Sequence, residues 1–321
     1  MLDENRSMPN TAIFPGLRKL SINCGDEDFE LKPEGWDQVR DLNIGYLKCP
    51  KLLLDGATLP MCRRIELKNV KIGNQLLIEG LPFLEEIEIS NYAINNIRIT
   101  GCPRLKKIYS HSNSNFVSVS DCQSLKDLNL TNAQIFRVVV RNCPALKRFF
   151  MKDICTRGVR MDGDAFPALQ EVTYKKIKTP ENTASEIIPD FIAQLPALGK
   201  LDLSGNALSA LPQFRADSVI QHLDISNNHF KELPESVYKL RNLQDLEIGL
   251  QAGYSGSENS IKKLDPALND LPKLRDVSIV WPEQRMRREA WKFRRALQST
   301  RLKTTFYYNP GYEIYFEDPP F

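Results

Sequence analysis

One spacing governs what this chain can fold into. An L-x-L pair, or its Ile, Val or Phe equivalent, begins at Leu20, Leu42, Ile65, Ile87, Ile108, Leu128, Phe149, Val172, Leu201, Leu223, Leu246 and Val277. Successive anchors lie 20 to 23 residues apart, except for 29 between Val172 and Leu201 and 31 between Leu246 and Val277. Three residues before nearly every anchor stands another apolar residue, and a proline often stands two residues before that, as in Cys102-Pro103 and Cys143-Pro144. Proline fixes φ and lacks an N–H, so it suits the corner that enters a strand. The stretch LKDLNLTNAQIFRVVVRNCPAL, from Leu125 to Leu146, is the clearest copy: two short alternating runs joined by a polar turn. Neither run can bury a face alone, so the unit is stable only when stacked on copies of itself.

A repeat of this kind makes 321 residues one continuous core instead of two ordinary domains. The formal charge of +3 gives no reason to expect nucleic acid or an anionic membrane as the principal partner, and no run of apolar residues is long enough to span a bilayer. The opening residues MLDENRSMPNTAIF lack a basic segment followed by an apolar one, which excludes an ordinary cleaved secretory signal. Seven cysteines, an odd number spread through a large chain, read as reduced thiols in a cytosolic compartment.

The pattern LPALGKLDLSGNALSALP (195–212) followed by VIQHLDISNNHFKELPESVYKLRNL (219–243) resembles the leucine-rich-repeat family, with Asn206 and Asn228 at the signature asparagine. The resemblance covers roughly residues 14–282 and implies an α/β, curved leucine-rich-repeat solenoid in which that asparagine satisfies backbone groups between turns. Earlier coils depart from it, carrying Gly25, Leu47, Val70, Tyr92, Asn113, Ala133, Ile154 and Ile177 at that position. In its place they have a second strand about ten residues after the anchor: Leu76–Ile78, Ile97–Ile99, Val117–Val119, Val138–Val140 and Val159–Met161. This is similar to the short, irregular bacterial variety, so the N-terminal coils are expected to be nearly all β.

The 29-residue spacing places Ile187, Ile188, Phe191, Ile192 and Leu195 at helical intervals, which predicts a change of repeat subtype near 177–195 and helices in the C-terminal coils, including 234–240. The Gly- and Ser-rich stretch 251–260 reads as a projecting loop. Residues 283–298 read as a helix sealing the last coil, and 304–308 as a final strand. The expected organisation is therefore an N-terminal leader or cap (1–16), a solenoid (17–282), and a C-terminal helical cap with its tail (283–321).

Residues one after each anchor should form a column on the concave face. Most are polar; Tyr109 and Phe150 are the exceptions, about 10 Å apart if two coils separate them. The candidate protein-binding site comprises Lys107, Tyr109, His111, Asn129, Arg148, Phe150, Lys152 and Lys175, continuing into an acidic stretch with Asp202, Asp224 and Glu247. Cys102, Cys122 and Cys143 fall at one register without a recurring histidine, so they read as stacked buried thiols and no metal or other cofactor is expected. Cys24-Gly25-Asp26 matches the C-x-D motif of bacterial ubiquitin ligases that carry leucine-rich repeats, but here it follows the first strand, outside any helical catalytic domain. His111, His222 and His229 assemble no nucleophile–base pair, and there is no Gly-rich phosphate loop. The helix at 283–298 offers Arg287, Arg288 and Arg295 to nucleic acid or acidic lipid, a role secondary to that of a solvated capping face.

These residues point to a non-enzymatic module that binds another protein through a preformed concave surface, with no small-molecule substrate. The alternative is the substrate-recognition part of a leucine-rich-repeat ubiquitin ligase whose catalytic domain is absent. The irregular repeats, free thiols and lack of a cleaved signal resemble bacterial cytosolic repeat proteins and virulence effectors, implying a cytoplasmic location or delivery into a host cell.

Overall fold

A computed structural model describes residues 16–24, 31, 35–90, 93–161, 166–179, 188–249, 259–261 and 264–281, together with the strand 303–308. The chain divides into two compact units, Met1–Phe150 with Ile154–Phe166, and Met151–Asp153 with Pro167–Phe321. The expected leader, the helix at 283–298 with its arginines, and the acidic tail lie outside the described residues.

The first unit is a parallel-strand solenoid with two ladders. Its strands are β1 (Lys19–Asn23), β2 (Asp41–Gly45), β3 (Lys48–Asp55), β4 (Arg64–Lys68), β5 (Lys71–Glu79), β6 (Glu86–Ser90), β7 (Ala93–Ile94), β8 (Asn96–Thr100), β9 (Lys107–Ser110), β10 (Ser114–Ser120), β11 (Asp127–Arg141), β12 (Arg148–Cys155) and β13 (Val159–Met161). In the first ladder, Leu20, Leu42, Ile65, Ile87, Ile108 and Leu128 pair residue for residue through β1, β2, β4, β6, β9 and β11. In the second, Leu52, Leu76, Ile97, Val117, Val138 and Val159 do the same through β3, β5, β8, β10, β11 and β13. All of these residues except Leu20 and Val159 are at most 2% exposed, because the inward member of each alternating strand meets its copies above and below.

The two runs expected around a polar turn in Leu125–Leu146 are one strand, β11, which bends at Asn132. Asn132 has φ of +52°, and so begins to explain how every coil turns. Four residues after the anchor, Tyr46 and Asn69 share that left-handed conformation; at the end of the second ladder Gly80, Gly101, Asp121 and Asn142 adopt it too. The left-handed residue aims its N–H at the next coil: Asn69 donates to the Ser90 carbonyl at 3.1 Å, and Gly101 to the Ser120 carbonyl at 3.2 Å. Asn, Asp and Gly tolerate this region where a β-branched residue does not. The corner then closes with a β-turn, as in Leu105 N–H to Cys102 carbonyl at 3.2 Å with Pro103 inside it.

The second unit carries one parallel ladder: β14 (Glu171–Lys175), β15 (Lys200–Asp202), β16 (His222–Asp224), β17 (Asp245–Glu247), β18 (Asp276–Trp281) and β19 (Lys303–Tyr308). Here the asparagine ladder is present. Asn206 accepts from the Ile177 N–H at 2.8 Å and donates to the carbonyls of Tyr174 and Leu203; Asn228 accepts from Leu208 and donates to Leu203 and Ile225. A third member, Asn259, accepts from the Phe230 N–H at 3.0 Å and donates to the carbonyls of Ile225 and Ile248. Asn259 is 4% exposed, so the stretch expected to project as a loop returns to the core before it ends.

Among the described residues, helix is scarcer than expected. The predicted helical run yields a single α-turn, α1 (Phe191–Gln194), because Pro189 and Pro196 bracket it. The segment 234–240 forms a 3₁₀ turn at Glu235–Lys239, and a second lies at Pro266–Asp270. The 3₁₀ form rises about 2.0 Å per residue, so a few residues suffice to span the side of a short coil.

Asn132→Val should lower stability by about 1–2 kcal/mol in denaturant unfolding, since the side chain is exposed and only the backbone conformation is strained. Asn132→Gly should leave stability nearly unchanged.

Candidate protein-binding site

Outward residues on each first-ladder strand stand one before and one after the buried anchor. The column after the anchor is as expected: Ser21, Asn43, Glu66, Glu88, Tyr109 and Asn129 are successive Cα partners in the first unit. Thr173, Asp202, Asp224, Glu247 and Ser278 are partners in the second.

The column before the anchor carries a pattern that sequence reasoning missed. It reads Lys19, Asp41, Arg64, Glu86, Lys107, Asp127 in the first unit, strictly alternating in sign and paired in register. Arg148 on β12 continues it, forking onto Asp127 with Nε to Oδ1 at 2.5 Å and Nη2 to Oδ2 at 2.7 Å. In the second unit the column runs Glu171, Lys200, His222, Asp245, Asp276, with Lys200 2.8 Å from Glu171 and His222 Nδ1 against Asp245. Opposite charges on adjacent strands attract and like charges repel, so a slipped coil would lose these pairings. Aligning residues one before each anchor would have revealed the pattern.

This changes the meaning of several candidate residues. Arg148, expected as a cationic neighbour of the aromatics, is committed to Asp127, whose side chain is only 7% exposed. Lys175 is likewise engaged, 3.4 Å from Asp202. His111 shares a 2.7 Å hydrogen bond with the Thr131 hydroxyl. Lys107 and Lys152 are exposed. Tyr109 and Phe150, expected as exposed anchors, are half-buried. Tyr109 faces Asn129 directly, and the Asn129 Oδ1 is buried with no hydrogen-bond partner among the described residues.

In the second unit, Asp202, Asp224 and Glu247 lie on adjacent strands, about 4.8 Å apart along the ladder. Asp202 is tied to Ser204 through N–H (2.9 Å) and hydroxyl (2.6 Å), and Asp224 accepts from the Ser226 N–H at 2.9 Å. Burial, then the Asp202 charge, push the Asp224 carboxyl above its ordinary range, against the opposing pull of Ser226 and Lys175. Glu247 is raised by partial burial, then by Asp224 and Asp202.

The thiols sit as expected. Cys102, Cys122 and Cys143 are fully buried, with each Sγ–H directed at the carbonyl two residues earlier, Thr100, Ser120 and Arg141, at 3.2–3.5 Å. Cys62, buried three residues before the anchor Ile65, is pushed up to about 12, chiefly by burial. Cys24 is also raised by burial, the opposite of an activated nucleophile. No cluster of three metal-ligating side chains occurs among the described residues.

The family model described as Leucine Rich Repeat matches residues 220–240, the stretch built around Asn228. A leucine-rich repeat is thus identified at residues 220–240. Among solved structures, the chain is similar in fold to one in the crystal structure of the LRIM1/APL1C complex, at 15% identity and a TM-score of 0.51, covering 91% of this chain. It spans 57% of that chain's length. A leucine-rich-repeat protein of Leptospira interrogans matches at 14% identity and a TM-score of 0.33, over 93% of this chain and 99% of its own. No curated protein matches it. No described helix is long and apolar enough to cross a membrane.

Two outcomes test this geometry. Arg148→Ala strands the Asp127 carboxylate and should cost about 1–3 kcal/mol, and adding Asp127→Asn should recover part of that loss in a double-mutant cycle. Because Asp224 and Glu247 are raised, the stability linked to their protonated forms is complete in acid and is lost as the pH rises through the raised values. Asp224→Asn with Glu247→Gln should therefore melt at an increasingly higher temperature than wild type as the pH is raised from about 4 to about 7.

Proposed function

We propose that this protein is a non-enzymatic leucine-rich-repeat module that binds another protein through the outward, expectedly concave, face of the first ladder. Tyr109 and Phe150 are its anchors in the first unit. The observation that carries the reading is their chemistry: half-buried aromatics flanking Asn129, whose buried acceptor has no partner among the described residues. Partly sunk aromatic side chains lose little freedom when covered, which suits interface anchors. The acidic column Asp202, Asp224 and Glu247 of the second unit provides a separate contact for basic side chains.

A non-catalytic role is supported by the raised Cys24 thiol, which disfavours the thiolate that ubiquitin transfer would require. The similar chain in the LRIM1/APL1C complex belongs to a two-protein assembly by its own description, which is compatible with a protein partner here. Seven free cysteines suit a reducing compartment. We place the protein in a cytoplasm, its own or that of a host cell it enters as an effector.

A partner captured from lysate and identified by mass spectrometry gives the test. Tyr109→Ala with Phe150→Ala should weaken its affinity for this protein by at least about tenfold, or 1.4 kcal/mol, at a temperature where both proteins remain folded. Unchanged affinity would remove this face as the binding surface.

A further inference from the structure

Charge on the second ladder of the first unit obeys a different rule from the alternating column of the first. Val138 and Val140 are fully buried, so Arg137, Val139 and Arg141 stand on the opposite, outward side of β11. Val139 is in register with Ser118 and then Arg98 on one side, and with Arg160 on the other. Arg98, Arg137, Arg141 and Arg160 thus share one face within about 15 Å, all exposed. None of the four forms an ion pair among the described residues, whereas Arg64, Lys68, Lys106 and Arg148 each hold a carboxylate.

Among the described residues, the nearest carboxylates on the face, Glu79 and Asp55, belong to the Arg141 column but are separated from it by Ser120 and Thr100. At the corner beside Arg141, Asp121 is engaged by the Asn142 amide at 2.7 Å. Guanidinium groups that stand together with no counter-charge among the described residues repel one another and are suited to meet an external anion, which their planar forks bind in bidentate fashion.

We propose that this face is a second docking surface, distinct from the first-ladder face, which takes an extended acidic segment of a partner protein lying along β11. Arg137 and Arg141 are four residues apart on one strand, about 13 Å. That is the separation of acidic side chains at positions i and i+4 on one side of an extended peptide. Between them Val139 is 7% exposed, so the peptide's middle side chain should be small and uncharged. Arg98 and Arg160 flank the line and widen the positive field.

A peptide needs only the width of one strand, and it therefore avoids Asp55 on β3 and Glu79 on β5, which a membrane surface would also meet. Stacking of nucleobases is poorly served. Phe116 is the one aromatic in the columns of Arg137, Val139 and Arg141, and Phe136 beside it, 39% exposed, already has the Arg157 guanidinium 5.5 Å over its ring.

The test uses the full chain and a fluorescein-labelled (Glu-Ser-Ser-Ser)₃ peptide, which places Glu at i and i+4 with Ser between them on the same side, followed by anisotropy at low salt. Saturable binding is expected, weakened about tenfold by Arg137→Gln with Arg141→Gln, in line with exposed pairs worth up to about 1 kcal/mol each. The Lys versions should restore only part of it, and Arg98→Gln with Arg160→Gln, on different strands, should weaken it independently. Thermal midpoints of the variants confirm that folding is retained. No binding, binding indifferent to both arginine pairs, or tighter binding of a single-stranded RNA 12-mer or phosphatidylserine vesicles through the same arginines would overturn the proposal.

Discussion

A parallel in-register ladder imposes one condition on everything else: a residue's nearest outward neighbour is the residue at the same position in the next coil, about 4.8 Å away. Inward positions answer it easily, since Leu on Ile on Leu is good packing. Outward charged positions do not, because a charge repeated coil after coil would repel its own copy. The alternating column from Lys19 to Arg148 solves this by reversing sign at each step, and so turns a hazard into a register device. The acidic column in the second unit shows the other result, where burial and then stacked like charge make the Asp224 and Glu247 carboxyls harder to ionise.

The same condition governs polar backbone. At a corner the chain leaves the ladder, and its N–H and carbonyl groups would be buried without partners. The first unit satisfies them by placing left-handed residues, Tyr46, Asn69, Gly101 and Asp121 among them, so that N–H groups still reach the next coil. The second unit relies on side-chain amides, with Asn206, Asn228 and Asn259 each serving three backbone groups or more. Two sequence dialects thus meet one physical demand.

That shared demand explains what could be read in advance. Anchors such as Leu42, Ile65 and Ile87 announce themselves because burial needs the same chemistry in each coil, and the second-ladder triplets do so for the same reason. Tyr109 next to Asn129 followed directly from the alignment. Other features stayed hidden. The Arg148–Asp127 fork is invisible within either coil and appears only when adjacent coils are compared one position before the anchor. Tyr46 and Lys176 occupy left-handed corners that their residue types do not advertise. The helical spacing around Phe191 misled because burial of Phe191 and Ile192 needs one turn, and the prolines permit little more.

Asn259 also bears on how such a chain can change. Ile248 is buried beneath one strand and Asn259 completes the next rung of amides, yet many more residues separate them than separate Ile225 from Asn228. Both ends of the intervening stretch are fixed by the ladder, so its length is decoupled from the register of the coils that follow. The interval between Ile248 and Asn259 is therefore a port in the repeat, a place where sequence can be gained, lost or exchanged without moving any rung.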